Sequence, residues 1–89
     1  MSKIIFFDGA EIPVETCGTV GRLLMIRLPK QFTIPEAVRA FDGRSANIIF
    51  EYGEDQSATY IGYSKIARVF IDQGDGACEI WLAKDDADG

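Results

Sequence analysis

The residues of this chain whose types could do chemistry are few, and their spacing does not suit it. Histidine is absent, which removes Ser-His-Asp and Cys-His nucleophilic arrangements, most zinc sites and the commonest general base at neutral pH. Cys17 and Cys78 stand 61 positions apart, each beside a small residue and without C-x-x-C spacing. They read as free thiols of a reducing compartment rather than as a disulfide or a metal pair. Ser64-Lys65 is adjacent rather than spaced as Ser-x-x-Lys, and neighbours on a strand point to opposite faces. Gly74-Asp75-Gly76 has the composition of a phosphate-cradling loop, but such a loop leads into a helix and here a strand pattern follows. Asp72, Asp75 and Glu79 lack EF-hand spacing and read as a solvated hairpin turn. Asp85, Asp86 and Asp88 offer a cation only a flexible tail. The expectation is a chain with no catalytic residues, no metal site and no cofactor.

Eighty-nine residues leave room for one domain with a thin core. The 47% hydrophobic content is enough to keep most of the length out of the disordered class. The formal charge is −5, but three of the 14 acids fall in the last five residues, so the body carries 11 acids against 9 bases. No basic cluster or stripe is present, which argues against a nucleic-acid partner and against anionic membrane surfaces. The apolar run near the N-terminus is too short for a signal peptide and is stopped by Asp8, and no stretch has the length of a membrane span.

The elements that must position any site read mostly as strands. Residues 3–7, Asp8-Gly9 and residues 10–15 form a hairpin signal, with Asp-Gly suited to a two-residue I′ turn. That turn would pair Ile5 with Ile12 and Lys3 with Val14, leaving Ile4 and Phe6 on the other face. Pro13 marks an edge strand. Residues 16–21 read as a loop and residues 22–28 as a strand ended by Pro29. A helix follows: Thr33 and Glu36 make a capping box, Pro35 suits the first turn, and Ile34, Ala37, Val38 and Phe41 form one apolar stripe before Gly43 as the C′ residue. Residues 45–52 alternate as a strand, and Gly53-Glu54-Asp55-Gln56 is a polar turn. Residues 58–71 are too long for one flat strand, so Gly62 is expected to bend it. The final hairpin turns through residues 73–76, pairing Ile71 with Cys78, Val69 with Ile80 and Ala67 with Leu82 on a core face. Phe70 with Glu79 and Arg68 with Trp81 fall opposite.

These elements predict an α+β fold: an antiparallel-rich sheet of five or six strands, ordered β-β-β-α-β-β-β, with the helix packed on one face. Residues 1–84 make the domain and residues 85–89 a disordered acidic tail. One helix covers one face, so Ile4, Phe6, Arg68, Phe70 and Trp81 on the other either form a second small core under a loop or are the candidate protein interface. Trp, Phe and Arg are typical anchors of such surfaces.

The segment Thr59-Tyr60-Ile61-Gly62-Tyr63-Ser64-Lys65-Ile66, followed by an acid- and glycine-rich hairpin and Glu79-Ile80-Trp81-Leu82-Ala83-Lys84, resembles small proteins that bacteriophages and prophages encode near their tail, baseplate and fibre genes. The resemblance implies an accessory of virion assembly in the cytoplasm of a bacterial host or in the particle, and it carries no catalytic residues. The leading expectation is therefore a non-enzymatic structural or interaction module that self-associates, as a homo-oligomer, or docks tail proteins through an apolar sheet face. The alternative is a cytoplasmic regulatory binder, such as a small inhibitor of a host protein.

Overall fold

In the computed structural model, which describes residues 2–42 and 47–84, the strand pattern is richer than the sequence suggests. Among the described residues the order is β1 (Ser2–Phe6), β2 (Glu11–Val14), β3 (Thr16–Val20), β4 (Leu23–Arg27), α1 (Ile34–Phe41), β5 (Ile48–Gly53), β6 (Gln56–Tyr60), β7 (Tyr63–Ile71) and β8 (Cys78–Lys84). The class is α+β, but the strands form two antiparallel four-stranded sheets rather than one: β2-β1-β5-β6 and β3-β4-β8-β7. Their inner faces share one core, led by Ile4, Phe6, Leu24, Ile26, Leu28, Ile48 and Ile80. A single sheet with an eight-residue helix would leave much of that apolar surface wet. Folding one half of the strands over the other buries both inner faces, at about 25 cal/mol for each Å² removed from water.

Two short segments make this possible by carrying the chain from one sheet to the other. Glu15 alone separates β2 from β3, and Ile61-Gly62 separates β6 from β7. Gly62 has φ +89, a conformation L side chains rarely adopt, and its N–H donates to Asn47 Oδ1 at 3.1 Å. The expected bend within one long strand is thus a corner between sheets. Residues 16–21 form strand β3 and the start of a tight turn, not a loop. Cys17 is the buried residue of β3, so this edge strand has almost no apolar alternation to announce it.

The first hairpin is one residue out of the expected register. The pairs are Ser2 with Val14, Lys3 with Pro13, Ile4 with Ile12 and Ile5 with Glu11. The loop has three residues, 7–9: Phe6 N–H donates to Ala10 O at 2.8 Å, Gly9 N–H donates to Phe6 O at 2.9 Å, and Gly9 takes φ +95. Asp8 Oδ1 accepts from Ala10 N–H at 2.9 Å, which favours this turn over the two-residue one. A one-residue slip turns every side chain over. Here it carries Ile4, Phe6, Ile12 and Val14 inward together and leaves Phe7 on the exposed loop.

The helix is capped as expected: Glu36 N–H donates to Thr33 Oγ1 at 3.3 Å and Thr33 N–H to Glu36 Oε1 at 2.9 Å. It packs against β7 and β8 from the core side, where the Phe41 ring meets Phe6 edge-on at 5.4 Å. Ala37 and Phe41 are buried, while Ile34, at the start of the expected stripe, is exposed. The final hairpin forms the expected pairs from Arg68–Trp81 to Ile71–Cys78. A bulge between Ile66 and Arg68 then puts Ile66 opposite Leu82 in place of Ala67, giving the core the larger side chain. The expectations for Gly43, Ser45, Ala46 and the acidic tail at 85–89 lie outside the described residues. Among the described residues no helix is long and apolar enough to cross a membrane.

Candidate functional site

The outer face of the second sheet is built by alternation. On β4, Leu24 and Ile26 point into the core, so Leu23, Met25 and Arg27 point out. On β8, Cys78, Ile80 and Leu82 point in, so Glu79, Trp81 and Ala83 point out. The registers join these into rows across the sheet: Val20, Leu23 and Ala83; Gly18, Met25, Trp81 and Arg68; Thr16, Arg27, Glu79 and Phe70. Gly18 has open space where a side chain would be, which leaves Met25 uncovered on that side.

Trp81 occupies the middle row. The Arg68 guanidinium lies over its ring, 4.9 Å from the centroid, an arrangement that desolvation strengthens. Its Nε1–H donates to Glu79 Oε1 at 3.1 Å. With the one polar atom of the indole satisfied, a partner that meets the ring beside Arg68 has no unpaired polar group of the indole to match.

The other Glu79 oxygen accepts from Arg27 Nη1, and Arg27 is the centre of a wider cluster. Its Nη1 donates to Asp72 Oδ2 at 3.1 Å, its Nη2 to Asp75 Oδ2, and its Nε lies 3.4 Å from Glu15 Oε1. Asp75 stays exposed and Asp72 partly exposed on the hairpin turn, as expected, and together with Glu79 they are also partners of one arginine reaching across from β4. Asp75 is held below the usual carboxylate range, first by the Ala77 N–H at 3.0 Å and then by Arg27. Arg27 is pushed further up from its already high value, Asp75 being the largest cause. Lys30 also lies near enough to act on Asp75, so two cations stand among four carboxylates and this end of the face is formally negative.

The outer face of the first sheet is different. Lys3 there lies 3.0 Å from Glu11 and 3.8 Å from Glu51, a charged row beside the outward pair Ile5 and Ile49. Of the five candidate interface residues, the structure brings Arg68, Phe70 and Trp81 together on the second sheet. Ile4 and Phe6 do not join them: they are 0% and 2% exposed in the core, because the hairpin register moved them inward. Val20, Leu23 and Met25 complete the patch and escaped the sequence reading. Their signal is that residues 23–26 are apolar at every position, which on a strand means both faces are covered or wait to be.

The nucleophile candidates have other roles. Cys17 and Cys78 are free and buried, with β4 lying between their strands. Burial pushes the Cys17 thiol up to about 12 and raises that of Cys78, so both stay protonated at neutral pH. A cleft of about 440 Å³ opens between the sheets beside Glu15, Cys17, Phe50, Tyr52 and Tyr60. Among the described residues no group of three or more His, Cys, Asp or Glu side chains is placed to hold a metal ion. Compared with known proteins, the chain matches no family model, no curated protein and no solved structure.

Proposed function

We propose that this protein is a non-enzymatic interaction module that docks a protein partner through the outer face of its second sheet. The observation that carries the reading is Trp81: a half-buried indole with its N–H already satisfied by Glu79, stacked under Arg68 and bordered by Met25, on a face that α1 does not cover. Aromatic and arginine anchors on an apolar sheet face with a charged rim are the composition of protein interfaces. An accessory of a phage tail or baseplate assembly is a setting that calls for such a module.

The test is photo-crosslinking in the cells or particles that contain the protein. A photoreactive residue at Val20 samples the outer face of the second sheet, and one at Thr59 samples that of the first, since Thr59 pairs with the outward Ile49. The expected result is a discrete crosslinked species from Val20 that weakens when Trp81→Ala is added, and none from Thr59. Equal labelling from both positions, or none from Val20, overturns the reading.

A further inference from the structure

We propose that the occupant of this face is a second copy of the chain, laid on it about a two-fold axis that crosses the strands at right angles. This rests on the docking reading above and names its partner. The face is oppositely charged at its two ends. At one, Arg27 and the nearby Lys30 are outnumbered by Glu15, Asp72, Asp75 and Glu79. At the other, Arg22 in the turn before β4 and Lys84 at the end of β8 border an open hollow of about 460 Å³ that Leu23, Tyr63 and Ala83 also line. Residues 20–24, 63–68 and 82–84, which build that end, include no acid. Met25 and Trp81 lie between the two ends.

A foreign partner would need to complement such a surface with the opposite order of charges. A second copy does so when it is turned end for end, because an isologous contact places each patch on itself in reverse. An axis across the strands keeps every strand over its own counterpart and exchanges its ends. Trp81, in the middle row, then meets the Trp81 of the second copy. Arg22 comes over Glu15, and Lys84 comes over the turn that holds Asp72 and Asp75. An axis along the strands would put acid on acid and base on base, so the charge pattern selects one orientation.

Sedimentation velocity on the full chain, from micromolar to submillimolar concentration, tests this. The expected result is a dimer that added salt weakens and Trp81→Ala loosens. Arg22→Glu and Glu15→Lys should each raise the dimer Kd about tenfold or more, since each turns two attractive contacts into two repulsive ones. The double variant Arg22→Glu/Glu15→Lys should return to within about threefold of the original Kd, because reversal at both ends restores the match. Circular dichroism of all three confirms that the fold is kept. This pair sits on the β3–β4 side, so the result does not depend on Lys84 or on the acids that follow it. A monomer at every concentration, a dimer indifferent to both reversals, or a double variant no better than the singles overturns the proposal. If the Val20 probe still crosslinks a different protein in that case, only the second-copy assignment falls. If Val20 crosslinks nothing, the docking reading falls with it.

Discussion

Arg27 and Cys17 show how position on a strand decides what a reactive side chain becomes. Arg27 points outward, where it draws Glu15, Asp72, Asp75 and Glu79 into one cluster and ties the β7–β8 turn to the corner between β2 and β3. Cys17 points inward, where lost hydration of the thiolate keeps its proton on. The folded state therefore holds a proton that an unfolded thiol releases above its ordinary value of 9.0. Folding stability from this group is complete below that pH and is lost as pH rises toward about 12. Cys78 and Tyr60 are also raised by burial and add to the same alkaline loss. Denaturant melts at about pH 8 and about pH 11 should show the midpoint falling, with a shallower fall in Cys17→Ala. An aromatic disulfide reagent at neutral pH should find both thiols slow to react in the native protein and fast after unfolding.

At the scale of elements, a signal held where it depended on near neighbours and shifted where distant contacts had a say. The helix start at Thr33 and Glu36 depends on neighbours three residues apart, so no distant contact is needed to form it. Thr33→Ala removes the acceptor for the Glu36 N–H and should cost about 1 kcal/mol in equilibrium unfolding, with the sheet signal in circular dichroism unchanged. The first hairpin is the opposite case. Asp8-Gly9 is compatible with a two-residue and a three-residue turn, and the choice follows the Asp8–Ala10 hydrogen bond together with the core, which takes Ile4 and Phe6 inward. The same holds at Gly62, where a bend was expected and its consequence, a change of sheet, was not.

For the whole molecule, two sheets sharing one core explain how 89 residues hold together with eight helical residues among those described. Ile26 is 0% exposed at the centre of that core. Ile26→Ala should cost about 2–5 kcal/mol in denaturant unfolding, a large part of what a domain this small has to spare. A fall of less than about 1 kcal/mol would mean that the sheets do not close on one another there. The outer faces differ: the first sheet carries the Lys3–Glu11–Glu51 cluster beside Ile5 and Ile49, the second an apolar strip with opposite charges at its ends.

The sequence by itself determined the α+β class, the capped helix, the final hairpin's pairing from Arg68–Trp81 to Ile71–Cys78, and the presence of Arg68, Phe70 and Trp81 on one face. All of these follow from spacings of a few residues or from alternation within a hairpin. The tertiary structure decided what depends on contacts between distant segments: the second sheet, the strand at Thr16–Val20, the burial of Ile4 and Phe6, and the gathering of four carboxylates around Arg27. The physical reason is that alternation says which residues share a face but not which face is inside. That choice belongs to the core as a whole, and here a three-residue turn and two short corners settled it.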